Sequence, residues 1–206
     1  MLSEPKLTRE LSALPRVMLH GPWVRAVGYH LLQGPPPGAP PGGPIEPLWP
    51  GGASLRSARF TPKGGALSLY LASDALTALI EVQAVLLIGG RVVPLATQPW
   101  ALLSVDGVLT DIIDLTNDDI QKALDTTLSE LTGDWVYSQA TGRVPPTQAL
   151  GAAAVAAGNV LGLHYPSAKN TGQGSNIAVF MNRLQAGAPS FLQVVDPHKL
   201  LAQRVP

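Results

Sequence analysis

In the stretch ARFTPKGGALSLYLASDALTALIE, residues 58 to 81, the side chains of Arg59, Tyr70 and Glu81 interrupt a run that is otherwise mostly apolar, small or turn-forming. Glu81 is the only acid between Asp74 and Asp106. On a helix its neighbours three and four positions away are Thr77, Ala78, Ala84 and Val85, a face of mostly small residues that packs near something. A carboxylate there must reach solvent at a cleft or meet a partner, because burying it unpaired costs several kcal/mol. Two readings stand side by side: a functional carboxylate, or an ion pair to Arg59 or Arg56 that fastens helix to loop. Tyr70 divides the same way, between a core aromatic with its hydroxyl satisfied and a platform for a ligand.

Several other chemistries are excluded. No GxGxxG follows a strand, and GQGSN after Ser167 reads as a loop before a strand, so a dinucleotide site of the Rossmann type is not expected. No GxxxxGK[ST] or GxSxG occurs, which removes the P-loop and the strained nucleophile turn of a serine hydrolase. The histidines His20, His30, His164 and His198 lack metal-ligand spacing; His164 could line a site beside Ser167, although a core or surface role is the simpler reading. Trp135 reads as a core or pocket-wall aromatic, and the acids from Asp111 to Asp119 as a helix N-terminus with solvated charges.

The elements that must position these residues belong to a chain of 206 residues with 46% hydrophobic content, long enough to bury one substantial core. Lys plus Arg equals Asp plus Glu at 14 each, so no net field exists to hold nucleic acid or an anionic membrane. Cysteine is absent, which excludes disulfides, thiolate catalysis and cysteine-ligated metals and is compatible with a reducing cytoplasm. No signal peptide and no apolar run of membrane-spanning length is seen, so the expected setting is cytoplasmic.

Along the chain, SEPKLTRELSAL suggests a short helix and PWVRAVGYHLL a strand. The Pro- and Gly-rich residues 33–52 can form neither helix nor central strand, and are expected as a long surface loop, either a linker or a lid. ALSLYLA reads as a buried strand, after which Ser73 or Asp74 caps a helix running to about Leu87. RVVPLA, WALLSV and DIIDLT are strand candidates, NDDIQKALDTTLSEL a helix, and TQALGAAAVAAG a small-residue helix able to pack closely. VLGLHYP, IAVFM and FLQVVD complete the strands. The expected class is α+β, a single compact domain of short strands with interspersed helices.

The ordered set Arg, Tyr, Glu and a later YPSA resembles the RES domain family, named for an arginine, a glutamate and a serine. Its elements here are WVRAVGY with Arg25, ARFTPKGG with Arg59, LYLASDALTALIE with Tyr70 and Glu81, DIIDLT, GDW around Trp135, PTQALGAA, and GLHYPSAKNTGQGSNIAVF with Ser167 and Asn176. Residues 22–183 are covered, with 1–21 as an N-terminal segment and 184–206 as a C-terminal extension packing on the domain. In place of the usual Gly-Arg-Trp-Asn type opening stand Ala58, Arg59, Phe60 and Thr61.

The resemblance implies an ADP-ribosyltransferase-like fold and a bacterial toxin that consumes NAD+ by hydrolysis or phosphorolysis, with NAD+ as substrate and no prosthetic group. It also implies restraint by a cognate Xre-type antitoxin, and a self-associating toxin chain is expected. On this reading Glu81 stabilises the positive charge that develops on the ribose and accepts its 2′-hydroxyl. Arg59, and after it Arg25, holds pyrophosphate. Tyr70 stacks on nicotinamide or clamps the cofactor, Ser167 orients ribose or phosphate, and Asn176 joins the binding set. Transfer of ADP-ribose to a protein, and a catalytically silent protein-binding module of the same fold, remain as alternatives.

Overall fold

Near-continuous burial along Ser68–Ala72 and Ser175–Phe180 marks both as central strands covered on two faces, and the computed structural model, which describes residues 1–95 and 98–206, pairs them antiparallel with Tyr70 opposite Ala178 and Ala72 opposite Asn176. In chain order the elements are α1 (Glu4–Ala13), β1 (Val17–His20), β2 (Trp23–Gly28), α2 (Gly51–Arg56), β3 (Ser68–Ala72), α3 (Ala75–Glu81), β4 (Val85–Ile88), β5 (Arg91–Pro94) and β6 (Trp100–Asp114). They continue with α4 (Asp118–Ala123), α5 (Leu128–Thr132), α6 (Trp135–Ala140), α7 (Pro146–Ala157), β7 (Gly162–Pro166), β8 (Ser175–Phe180), β9 (Phe191–Val194) and β10 (Arg204–Val205).

One large sheet runs in the order β10-β9-β6-β2-β3-β8-β7, with β1 also on β6; β6 and β7 pair in parallel, so the pairings β6-β2-β3-β8-β7-β6 form a circuit. The α+β class is as expected. One face of the sheet packs on α1, α5 and α7 through Leu7, Leu11, Leu131, Leu150, Phe60 and Phe180. The other buries Trp23, Val27, Leu71, Val105, Ile177 and Val179. Among the described residues no helix is long and apolar enough to cross a membrane.

WALLSV and DIIDLT, expected as two strands, are one strand, β6. Asp111, with φ of 56°, kinks it. Before the kink Leu103, Val105 and Leu109 face the second core; after it Ile112 does, while Ile113 turns to the helix side. An irregular residue of this kind changes which alternate positions meet which face. Asp111 and Asp114 are therefore strand residues, and the helix start begins only at Asn117, whose side chain accepts from the Asp119 and Ile120 amides.

The helix expected over NDDIQKALDTTLSEL is split. Asp125 takes a left-handed φ of 49°, and Thr127 caps α5 by accepting from the Glu130 amide. A second cap within the segment offered the backbone a competing stop. The helix expected to reach Leu87 ends at Glu81 instead, and Val85–Ile88 pairs with Arg91–Pro94 as a hairpin. Gly89 and Gly90, both at positive φ, supply the two-residue turn that such a hairpin needs. The strand expected over RVVPLA is β5, except that Ala96 lies outside the described residues. PWVRAVGYHLL keeps its strand only to Gly28 and finishes in a 3-10 turn, Tyr29–Leu32. Strand β1 and the short helices α2 and α6 were not anticipated.

The Pro/Gly-rich loop has a structural assignment. Leu48 is 1% exposed in the second core with Leu32 and Ile45 beside it, and its amide donates to Gln203 Oε1 at 2.7 Å. Residues 33–50 thus cover the sheet face opposite the helices together with the C-terminal segment, whose β9 and β10 extend the sheet.

Helix α7 packs as closely as its small residues suggest. A Cβ at Gly151 would stand 1.9 Å from the carbonyl oxygen of Phe60. Gly151→Ala gains at most about 1 kcal/mol of helix propensity, but a backbone carbonyl cannot swing aside, and overpacking of this kind costs about 1–3 kcal/mol. The expected result is a Tm lowered by several degrees in a thermal melt, with activity lowered too, because Phe60 adjoins Arg59.

Candidate functional site

Glu81 ends α3, a helix begun by Asp74, whose Oδ1 accepts from the Thr77 amide at 2.8 Å. Its Oε1 accepts from Ser167 Oγ at 2.7 Å and from Asn176 Nδ2 at 2.9 Å. Neither donor is charged, and no ion pair to Glu81 exists among the described residues, so the structural alternative of a bridge to Arg59 or Arg56 does not hold. The carboxylate is aimed by two neutral donors while Oε2 has no protein partner among those residues.

Behind it lies a supporting network. Ser167 is 1% exposed, and its Oγ also accepts from the Asn170 amide at 3.0 Å. Asn170 Nδ2 in turn donates to Thr77 Oγ1 at 2.8 Å, and Thr77 Oγ1 to Asp74 Oδ2 at 2.6 Å. Burial alone would raise the Asp74 pKa, but these Thr77 bonds and one from Ser73 outweigh it and hold the carboxylate below its ordinary value. Ser167 is therefore placed behind Glu81 as its anchor, rather than on the surface a ligand would meet.

Arg59 sits in a tight turn in which Ala58 and Thr61 exchange backbone hydrogen bonds at 2.8 and 3.1 Å. Tyr70 pins that turn. Its hydroxyl accepts from the Phe60 amide at 3.1 Å and bonds Thr61 Oγ1 at 2.9 Å, while Gln148 Nε2 donates to the Ala58 carbonyl at 3.0 Å. Burial pushes the Tyr70 phenol up to about 12, against the opposing pull of those bonds and of Arg59. Arg59 Nη1 donates to the carbonyls of Leu131 at 2.8 Å and Gly133 at 2.9 Å, the end of α5. The guanidinium is fixed at the C-terminal end of a helix, where cations are favoured.

These groups line one cleft of about 750 Å³, in the size range of small-molecule sites. Its floor is Val24, Ala26, Tyr70, Tyr165 and Asn176; its walls are the 57–59 turn, the end of α3 with Glu81, residues 132–136, and Ala168 with Lys169. Trp135 is a wall aromatic. Arg59 and Lys169 are its cations, and Glu81 and Asp134 its anions. Lys169 Nζ donates to the Glu81 carbonyl at 3.2 Å; burial lowers its pKa, Arg59 adding to the effect while Glu81 and Asp134 oppose it.

Arg59, Tyr70, Glu81 and Asn176 are thus brought together, with Ser167 directly behind. Arg25 is not among them. Alternation along β2 sends Val24 and Ala26 to the cleft and Arg25 to the opposite side, where its Nη2 donates to the Trp49 carbonyl at 2.7 Å. Burial lowers its pKa to about 10, and its Nη1 is buried without a partner among the described residues. The expected pyrophosphate contact from Arg25 is corrected to a loop fastening. His164 does not line the cleft either; its Nδ1 pairs with Asp114 Oδ1 at 2.9 Å. Burial would raise Asp114, yet bonds from His164 and Thr116 hold it at about 2.

Sequence reasoning missed Tyr165, Lys169, Asn170 and Gln148. A signal for Tyr165 was present, since it stands two residues before Ser167 and alternate strand residues share a face.

A family model described as the RES domain matches residues 38–199, most of the chain. No curated protein matches it. Among solved structures the chain is similar to MbcT in the crystal structure of the M. tuberculosis MbcT–MbcA toxin–antitoxin complex, with a TM-score of 0.63 and 20% identity over 93% of this chain and 90% of that one. At that identity the likeness is one of fold.

Proposed function

Since the chain belongs to the RES domain family, we propose that it is the toxin of a toxin–antitoxin pair and that its cleft cleaves the nicotinamide–ribose bond of NAD+. The observation that carries this reading is Glu81: a carboxylate in the wall of a 750 Å³ cleft, oriented by Ser167 and Asn176 with Oε2 unclaimed among the described residues. As the C–N bond breaks, nicotinamide leaves with the electron pair and becomes neutral, and positive charge grows on the ribose. A fixed carboxylate stabilises that charge without reorganising. Water or phosphate then bonds to the same ribose carbon and gives up a proton to solvent. No general acid is needed for a leaving group that already carries positive charge.

Arg59 supplies an N–H fork for the pyrophosphate, with one nitrogen already committed to the end of α5. The Tyr70 hydroxyl is spent on the Arg59 turn, so the phenol acts by positioning, and its ring lines the cleft. Trp135 offers a second aromatic face. An Xre-type antitoxin that covers the cleft, action in the cytoplasm, and self-association of the chain belong to the same proposal. The structural neighbour, crystallised with its antitoxin, supports an antitoxin partner of some kind, and apolar side chains exposed on the β4–β5 hairpin, Ile88 and Val92 among them, favour self-association.

Expression of the chain without a partner in a bacterial host tests the reading. Cellular NAD+ is expected to fall before growth stops, and co-expression with the neighbouring open reading frame is expected to prevent both. Growth arrest at an unchanged NAD+ level would sink it.

A further inference from the structure

Tyr165 is a polar residue of the cleft to which the account above gives no role. It is 4% exposed, with its ring edge-on to Phe60 at 4.6 Å between centroids and 63° between planes. Every packing contact of that ring would be served equally by phenylalanine. Yet a hydroxyl is present, and it neither donates nor accepts a hydrogen bond among the described residues. It is also not sealed away with the fully buried unpartnered atoms, and the residue lines the cleft. Tyr70 lies on the same floor and differs in this respect, since its hydroxyl is bonded twice.

We propose that Tyr165 is a ligand-positioning residue whose phenol donates to the ribose 3′-hydroxyl while Glu81 Oε2 accepts the 2′-hydroxyl, so that the two together read a vicinal diol. The inference rests on the proposed NAD+ reading, which sets the ribose beside Glu81. Burial, then the charges of Tyr70 and Glu81, push the Tyr165 pKa well above the ordinary tyrosine value, and Arg59 opposes them less strongly. The phenol therefore stays protonated and serves as a donor. A neutral donor and an anionic acceptor facing one cleft fit adjacent hydroxyls, the 3′ accepting a hydrogen bond and the 2′ donating one. The pair also gives a role to a hydroxyl that faces the cleft without a protein partner among the described residues, since the ligand supplies one.

The test compares wild type and Tyr165→Phe on NAD+ and on NAD+ analogues lacking the 2′- or the 3′-hydroxyl of the nicotinamide-bearing ribose, with a thermal melt of both proteins. Tyr165→Phe is expected to lower kcat/KM on NAD+ about tenfold with Tm unchanged or slightly raised. The 3′-deoxy analogue should cost the wild type the same factor and cost the variant nothing further. Wild-type kinetics for the variant, additive losses, or coupling to the 2′-deoxy analogue instead would overturn the assignment. A wild-type chain that cleaves no NAD+ overturns the functional reading itself, and this inference with it.

Discussion

Glu81→Gln is expected to lower nicotinamide release by about a hundredfold or more while leaving the melting temperature where it was. Glutamine keeps an oxygen that can accept from Ser167 Oγ and Asn176 Nδ2, the two bonds that hold Glu81 at 2.7 and 2.9 Å. The anchoring network through Asn170 and Thr77 is untouched. Only the charge facing the ribose is lost, and one such electrostatic contact is worth on the order of 3 kcal/mol in the transition state. No cation pairs with Glu81 among the described residues, so neutralising it strands no buried partner, and stability has no reason to fall. Turnover equal to wild type would remove Glu81 from the mechanism.

The second large effect is at Arg59, where lysine and alanine should fail differently. Arg59→Lys keeps a charge but not the planar fork, so NAD+ affinity in a Glu81→Gln background is expected to fall by about 1–3 kcal/mol. An ammonium can still reach one carbonyl at the end of α5, and the melt should move little. Arg59→Ala abandons the carbonyls of both Leu131 and Gly133, now bonded at 2.8 and 2.9 Å. Charged hydrogen bonds in a site that is 8% exposed make this a loss of about 2 kcal/mol, or roughly 4–8 °C in Tm for a chain of this size. Calorimetric titration and thermal melting of the same variants separate the two roles. Unchanged NAD+ binding by the lysine variant would shift the pyrophosphate contact to Lys169, the other cation of the cleft.

How much of this was legible beforehand depended on the kind of signal. The gathering of Arg59, Tyr70, Glu81 and Asn176 came from the order of family motifs, and the lone position of Glu81 agreed with it, although of its expected helical neighbours only Thr77 and Ala78 share the helix, which ends at Glu81. Which face of β2 meets the cleft was not legible, because WVRAVG alternates apolar side chains on both sides of Arg25 and gives no hint of which core lies where. Elements failed where local chemistry competed with periodicity. Val85–Ile88 reads equally as the end of a helix or as a strand, and pairing across Gly89 and Gly90 decided it. Thr127 capped a second helix inside what looked like one. Whether the proline-rich loop was linker or lid could not be read, because apolar residues such as Ile45 and Leu48 acquire meaning only against a sheet face formed by distant strands.

Incubation of the purified, partner-free chain with NAD+, followed by NMR in phosphate-free and phosphate buffers, tests the central claim most directly. The account predicts one nicotinamide formed per NAD+ lost in both buffers, with the ribose-containing product reporting whether water or phosphate was the acceptor. NAD+ that stays intact beside a chain shown by its melt to be folded would contradict it.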